Sequence, residues 1–226
     1  MNDKQVVAQY ALNYVQNGMT IGLGTGSTAN CFIEALAQRY QQENLKITVV
    51  ASSLVSQLNA QHLGLPLIAI EHIEKLDMYV DGADEVAPDM TLLKGRGSDL
   101  VKEKLLVEAA EQFIVLIDSS KQVQHIGDNF PIPAEVLPFA WQLVQHKMRN
   151  AGAQVSLRET GSGLAVTSCG NLVLDLVFNA ELSTTALNNL LNATPGIVEH
   201  GIFQGLADII LLADKGKVTP ITSEKK

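Results

Sequence analysis

Chemistry-bearing residues crowd the middle of this chain: Tyr79-Val-Asp-Gly-Ala-Asp-Glu85 is followed by Leu93-Lys-Gly-Arg-Gly-Ser98 and then by Glu103. Asp81 and Asp84 cannot share one face of a strand, because strand side chains alternate. They fit a tight turn through Gly82 and Ala83 at the end of an apolar strand over Met78–Val80, where Asp and Gly tolerate unusual backbone angles. Both can hydrogen-bond sugar hydroxyls or move their protons; the plainer alternative is that they only stabilise the turn. Polar groups at the carboxyl ends of strands are where open α/β sheets bind ligands.

A helix beginning near Ser98, at about 100° per residue, places Lys104, Glu108 and Glu111 on one outward stripe. Glu103 points instead with Leu106, Val107 and Ala110, toward the apolar side. A carboxylate held against packed surface binds its proton more tightly, which moves it toward the range of a general base. A Glu103–lysine pair is the bland alternative. Lys94, ending a strand over Met90–Leu93, can neutralise a developing oxyanion or hold a phosphate, or else it is a surface lysine at a turn. Lys121, after Asp118-Ser-Ser, lies at another strand end and can complete the same site.

A second constellation is Ile21-Gly-Leu-Gly-Thr-Gly-Ser-Thr28, between a strand and a helix. Its glycines let backbone N–H groups approach an anion, and the helix start adds free donors and partial positive charge. Ser27 and Thr28 supply hydroxyls, and either can cap the helix. A plain glycine-rich turn is the competing reading. Gly24-Thr-Gly-Ser-Thr-Ala29 formally matches a relaxed dinucleotide fingerprint. Yet the next strand ends in Ala51-Ser-Ser53 rather than in an acid able to grip a ribose. No lysine follows the glycines, so a P-loop is excluded, and a phosphate monoester fits better than a dinucleotide.

These groups need a scaffold of strands and helices in alternation. Helix is expected over 3–17, strand over Met19–Gly24, helix over Ser27–Gln42, strand over Lys46–Ala51, helix near Leu54–Leu63 and strand over Asp77–Val80. A helix over Ser98–Glu111 and a strand over Phe113–Ile117 follow. Such alternation indicates parallel βαβ units and a Rossmann-like open α/β sheet. The segment Asn129-Phe-Pro-Ile-Pro133 breaks the pattern. Beyond it, strand 134–137 and helix 138–150 precede strands Gln154–Arg158, Leu164–Thr167 and Asn171–Phe178, the last two joined as a hairpin by Ser168–Asn171. Helix 183–193 and strand Ile197–His200 complete a ferredoxin-like β-α-β-β-α-β subdomain, and Ala207–Ala213 returns to the main sheet. The division is therefore 1–127 plus 204–226 as the catalytic core, and 128–203 as a smaller α+β subdomain serving as cover or oligomer contact.

Composition narrows the function classes. The 226 residues are 46% hydrophobic and 18% charged, with a formal net charge of -8. That is the profile of a soluble globular enzyme. No basic cluster offers itself to nucleic acid, which recruits lysine and arginine, and the tail Ser223–Lys226 reads as a solvated end. Cys31 and Cys169 lack C-x-x-C spacing and read as reduced cytosolic thiols, Cys31 packing on a helix. Asp3, Lys4 and their polar neighbours leave no signal-peptide block. The apolar runs Phe113–Ile117 and Ile209–Ala213 are too short to span a bilayer. Five scattered histidines make a metal site improbable, though carboxylates alone can hold magnesium; a cytoplasmic location is expected.

At these residues the chain closely resembles the A-type ribose-5-phosphate isomerases. The resemblance is carried nearly end to end by Gly24-Thr-Gly-Ser-Thr28, Tyr79–Glu85, Lys94-Gly, Glu103-Lys104, Ser120-Lys-Gln122 and Pro195-Gly196. It implies a cofactor-independent aldose–ketose isomerase of the pentose phosphate pathway, interconverting ribose 5-phosphate and ribulose 5-phosphate as a homodimer or larger oligomer. It implies that Glu103 is the proton acceptor, with Lys94, Asp81 and Asp84 as further catalytic groups. Substrate contacts are implied for Thr25, Gly26, Ser27, Thr28, Asp81, Gly82, Ala83, Asp84, Lys94, Gly95, Arg96, Gly97 and Lys121, and Lys4 aligns with a lysine that reaches the phosphate. The family loop usually reads Lys-Gly-Gly-Gly, so Arg96 replaces a glycine here. If that position needs a positive φ, arginine is strained there; otherwise its guanidinium faces solvent or adds charge near the substrate. A sugar-phosphate-sensing module of related fold is the rival class, and Glu103 with Lys94 favours catalysis over it.

Overall fold

The computed structural model describes residues 2–161, 163–178 and 182–223; the last three residues of the tail lie outside them. The chain divides into two compact units, Met1–Ala83 with Lys102–Lys121 and Leu206–Lys226, and Asp84–Val101 with Gln122–Gly205. In chain order the elements are α1 (Asp3–Ala11), β1 (Thr20–Leu23), α2 (Ser27–Glu43), β2 (Thr48–Ala51), α3 (Leu54–His62), β3 (Met78–Gly82), β4 (Glu85–Val86), β5 (Leu92–Leu93), α4 (Leu100–Ala109) and β6 (Phe113–Asp118). They continue as β7 (Ile132–Val136), α5 (Trp141–Asn150), β8 (Ala153–Leu157), β9 (Glu159–Thr160), β10 (Gly163–Leu164), β11 (Leu172–Phe178), α6 (Thr184–Asn192), β12 (Ile197–His200), β13 (Ile202–Phe203), β14 (Ile209–Asp214) and β15 (Lys217–Thr222).

The first unit is a six-stranded sheet in the order β15-β14-β6-β3-β1-β2. All neighbours run parallel except the β14–β15 edge pair. Its inner strands are nearly continuous buried apolar runs, as a sheet covered on both faces requires; Val7, Phe32, Ile33 and Leu36 of α1 and α2 share one core with Ile21, Val49, Val80 and Ile114. From β1 the chain moves outward to β2, then β3 returns to the other side of β1. That reversal is a topological switch point, and the crevice outside the carboxyl ends of β1 and β3 is where such sheets bind ligands.

Local chemistry sets the element ends. Asn2 and Gln5 form a reciprocal capping box that starts α1. The helix expected to reach residue 17 stops at Ala11 and passes into a 3-10 turn over Leu12–Tyr14. There Arg39 Nη1 donates to the Leu12 and Val15 carbonyls at 2.7 and 3.1 Å, holding the turn against α2. The helix expected from Ser98 begins at Leu100, because Ser98 sits at φ 67, outside helical space. The edge strand β15 went unread in the sequence; Pro220 within it lacks an N–H, which only an edge tolerates.

The second unit holds a four-stranded antiparallel sheet in the order β12-β7-β11-β8. With α5 and α6 this is the ferredoxin-like β-α-β-β-α-β arrangement. Its strand β7 begins at Ile132 rather than 134 and includes Pro133. The expected strand over Leu164–Thr167 does not join the sheet. Gly163–Leu164 pairs only with Glu159–Thr160, Val166 makes a single bridge to Leu172, and β8 is the long partner of β11. Leu164 and Val166 are 46% and 60% exposed while Ala165 and Thr167 are buried, so the segment alternates as a strand does but pairs too briefly to extend the sheet. A three-stranded sheet, β13-β5-β4, completes this unit. Glu85, fully buried in β4, accepts from the backbone N–H groups of Gly127, Asn129 and Phe130 and so pins the segment that leads into β7. Among the described residues, no helix is long and apolar enough to cross a membrane.

Candidate active site

The glycine turn follows β1 at the switch point of the first unit. A Cβ on Gly24 would lie 2.1 Å from the Asp81 carboxyl carbon, so glycine leaves the room that this carboxyl group occupies. Gly26, at φ 120, is the N-cap of α2 and offers no side chain to its first amides, leaving them to an anion. Lys4 Nζ donates to Ser27 Oγ at 2.8 Å, which sets a cation beside the same helix end. Thr28 lies one residue further into the first turn.

Asp81, next to last in β3, has no solvent exposure. Its Oδ1 accepts from Thr25 N at 3.1 Å and Gly82 N at 2.7 Å, and its Oδ2 from the Tyr79 hydroxyl at 2.6 Å. A buried carboxylate so surrounded keeps its orientation. Thr25 Oγ1 lies 3.0, 2.6 and 3.0 Å from the hydroxyls of Ser52, Ser53 and Ser56. Ser56 in turn donates to Gly24 O at 2.6 Å. This hydroxyl cluster locks the anion turn to the end of β2.

Glu103 lies in the first turn of α4 and is 3% exposed, as its place on the apolar stripe predicts. Lys104, expected on the outward stripe, is half-buried, and Leu105 is the exposed residue of that turn. Burial above all raises the Tyr79 phenol well beyond the ordinary tyrosine range; the charges of Asp81 and Glu103 add to this, and Ser52 opposes it. Glu103 therefore sits within electrostatic reach of the Tyr79–Asp81 pair. Lys121 closes the 3-10 turn Ser119–Lys121 after β6, the neighbour of β3, and is half-buried.

The second unit carries the other predicted residues. Asp84 N donates to Leu93 O at 2.8 Å, and its Oδ2 accepts from Arg96 N at 3.4 Å. Lys94 is 3% exposed, with its ammonium 5.7 Å from the centre of the Phe203 ring. Gly95 takes φ 95, and a Cβ there would strike Leu100 at 2.2 Å. Arg96 is absent from the residues of positive φ, and the left-handed position is Ser98 instead. Arginine is thus unstrained in the family's glycine position, and its guanidinium lies over the Phe130 ring at 4.3 Å.

Two groups of site residues escaped the sequence reading. Ser52 and Ser53 were noted only for lacking an acid and Ser56 was not singled out, although serines at one strand end and the helix start after it were a usable signal. Arg158, whose Nη1 donates to Gly95 O at 2.8 Å, gave no local signal at all.

A parallel sheet whose switch point carries an open helix end beside a buried carboxylate is the layout of an α/β enzyme that binds a small ligand. The family model of ribose 5-phosphate isomerase A (phosphoriboisomerase A) matches residues 48–217. The ribose-5-phosphate isomerase A of Thermosynechococcus vestitus is 42% identical over 93% of this chain and 91% of its own. The ribose 5-phosphate isomerase A of Methanocaldococcus jannaschii superposes with a TM-score of 0.92 at 34% identity, over 97% of this chain and 98% of that one. A D-ribose-5-phosphate isomerase in complex with phospho-erythronic acid gives a TM-score of 0.94 at 34% identity, over 98% and 100% of the two chains. The chain belongs to the ribose 5-phosphate isomerase A family.

Proposed function

We propose that the protein interconverts D-ribose 5-phosphate and D-ribulose 5-phosphate through a cis-enediolate, with Glu103 as the base. The observation that carries this reading is the burial of Glu103, 3% exposed, within reach of the Tyr79–Asp81 pair at the switch point. Family membership supports the substrate, and the solved relative holding phospho-erythronic acid binds a phosphorylated sugar acid.

In this mechanism the phosphate docks on the amides of Gly26–Thr28, with Lys4 and Lys121 as cations. Asp81 and Asp84 bind hydroxyls and help open the furanose ring. Glu103 takes the proton from C2 of the open aldehyde; the electron pair of that bond forms the C1–C2 double bond and the charge moves to O1. The O2 proton passes to O1, Glu103 returns its proton to C1, and C2 becomes the carbonyl. Both electrons stay within the sugar, so the balance needs no external oxidant or reductant. Lys94 and the N–H groups of Gly95–Gly97 stabilise the oxyanion; removal of a single such donor typically costs about 3–4 kcal/mol.

The same reading makes the protein a cytoplasmic homodimer or larger homo-oligomer. Phe139 and Leu143, four positions apart and 85% and 77% exposed, support an apolar contact surface for such an assembly. It also assigns 128–203 to covering the substrate or to subunit contacts. The test is turnover of ribose 5-phosphate in deuterated water with a chelator present. Deuterium is expected at C1 of ribulose 5-phosphate; binding without exchange marks a sensor and overturns the proposal.

A further inference from the structure

We propose that Arg158, oriented by Asp175, is a positioning residue that sets the peptide planes of the Lys94–Ser98 loop; the inference rests on the isomerase reading above. Arg158 follows β8, and Asp175 lies on the adjacent strand β11. Arg158 Nε and Nη2 meet Asp175 Oδ2 and Oδ1 at 3.0 and 2.5 Å, a two-pronged pair whose side chains are 15% and 18% exposed. The remaining arm is thereby aimed along the loop. Nη1 donates to Gly95 O at 2.8 Å, Arg96 O at 3.3 Å and Ser98 Oγ at 3.1 Å.

The consequence follows from peptide planarity. In a trans peptide the carbonyl and the next residue's N–H point in opposite directions. With the Gly95 and Arg96 carbonyls drawn to Arg158, the N–H groups of Arg96 and Gly97 are turned away from it. The first of them meets Asp84 Oδ2 at 3.4 Å. Two successive amides of one orientation make an anion-holding concavity, and Asp84 lies on their side. The arrangement also holds Ser98 at φ 67, a conformation that needs support from its surroundings. Arg158 itself has its charge matched by Asp175 and its donors turned to the loop backbone, so it acts through the loop. Arg96, stacked on Phe130, leaves the carbonyl side of the loop to Arg158.

The test compares wild type with Arg158→Ala and Arg158→Lys, with and without millimolar guanidinium chloride. The readouts are kcat and KM for ribose 5-phosphate, inhibition by inorganic phosphate, thermal unfolding, and tryptic cleavage after the exposed Arg96. A small misplacement of catalytic groups can cost on the order of 100-fold, so kcat of Arg158→Ala is expected to fall roughly 10–100-fold. Phosphate inhibition is expected to stay within about twofold, cleavage after Arg96 to quicken, and guanidinium to restore part of both. Arg158→Lys should recover little, since an ammonium cannot reproduce the fork. Wild-type kcat in Arg158→Ala overturns the proposal, as does a loss that tracks the unfolding midpoint and resists guanidinium. If the wild type itself fails to turn over ribose 5-phosphate, the isomerase reading falls separately. The tryptic comparison then decides the positioning role, and unchanged cleavage overturns it.

Discussion

The Tyr79 hydroxyl donates to Asp81 Oδ2 at 2.6 Å, and neither side chain has any solvent exposure. Burial, and then the nearby charges of Asp81 and Glu103, keep the phenolic proton on Tyr79 well above the usual tyrosine range. The donor is therefore permanent at any working pH. Asp81, held by this hydroxyl and two backbone amides, is a fixed acceptor. Glu103, in the first turn of α4, adds its charge to the surroundings of Tyr79.

One prediction follows from the linkage between that proton and folding. Tyrosine in the unfolded chain ionises near 10.0, whereas the folded protein keeps its Tyr79 proton beyond that value. Above this pH unfolding releases a proton, so the contribution is whole below pH 10 and shrinks by about 1.4 kcal/mol per pH unit as pH rises. Tyr79→Phe removes both the hydrogen bond and the titration, and costs roughly 1.5–3 kcal/mol at neutral pH. In urea titrations the gap between wild type and variant should narrow from pH 9 to pH 11. An identical gap at both pH values would remove Tyr79 from this role.

Replacing the base should separate chemistry from binding. Glu103→Gln keeps the volume of a buried side chain and removes its proton acceptor. General-base contributions run to about 100–10,000-fold, and a fall in kcat of that size is expected. Inorganic phosphate, which the proposed mechanism docks at the α2 end, should inhibit as it does the wild type. Near-normal turnover by the glutamine variant excludes Glu103 as the base.

How much of this was legible in the sequence depends on the range of each contact. Glu103 was readable because helical periodicity is local: its neighbours Leu106 and Val107, both buried, mark its face within one turn. The Gly24–Thr28 turn was readable because glycine spacing records a close approach. Arg158 reaches Gly95 across 63 positions, and Thr25 meets Ser56 across 31, so no window of sequence displays either contact. The opposite error arose at Leu164–Thr167, which was read as a full strand. Ala165 and Thr167 are buried there, but Val166 makes a single bridge to Leu172, so the backbone ladder stops short of a full strand.

Glu85 belongs to the same motif as Asp81 and Asp84, yet its contacts give it a structural task. Its Oε2 accepts from Gly127 N at 2.6 Å, and its Oε1 from Asn129 N at 2.6 Å and Phe130 N at 2.9 Å. Glutamine would turn a donor toward at least one of these N–H groups. Each hydrogen bond to a charged acceptor is worth about 1.5–3 kcal/mol, so Glu85→Gln should destabilise the fold by at least that amount. A midpoint fall of roughly 2–4 °C per kcal/mol is expected in thermal unfolding. An unchanged midpoint contradicts the anchoring role.

Two neighbouring glycines make opposite demands, which gives the sharpest steric test of the anion turn. Gly24 has no positive φ, so alanine suits its backbone; the obstacle is the Asp81 carboxyl carbon, 2.1 Å from the new Cβ. Gly26 has open space for a Cβ but stands at φ 120 and ψ 175, a region left almost wholly to glycine and costly by about 1–3 kcal/mol for other residues. Gly24→Ala must therefore push Asp81 away from Thr25 and Tyr79, and kcat should fall by on the order of 100-fold. Gly26→Ala should instead twist the first amides of α2 and weaken phosphate inhibition more than it lowers kcat. Measuring both constants for both variants separates the two effects. Matching losses in kcat and phosphate affinity would show that the turn and Asp81 move as one body, contrary to the separate constraints on the two glycines.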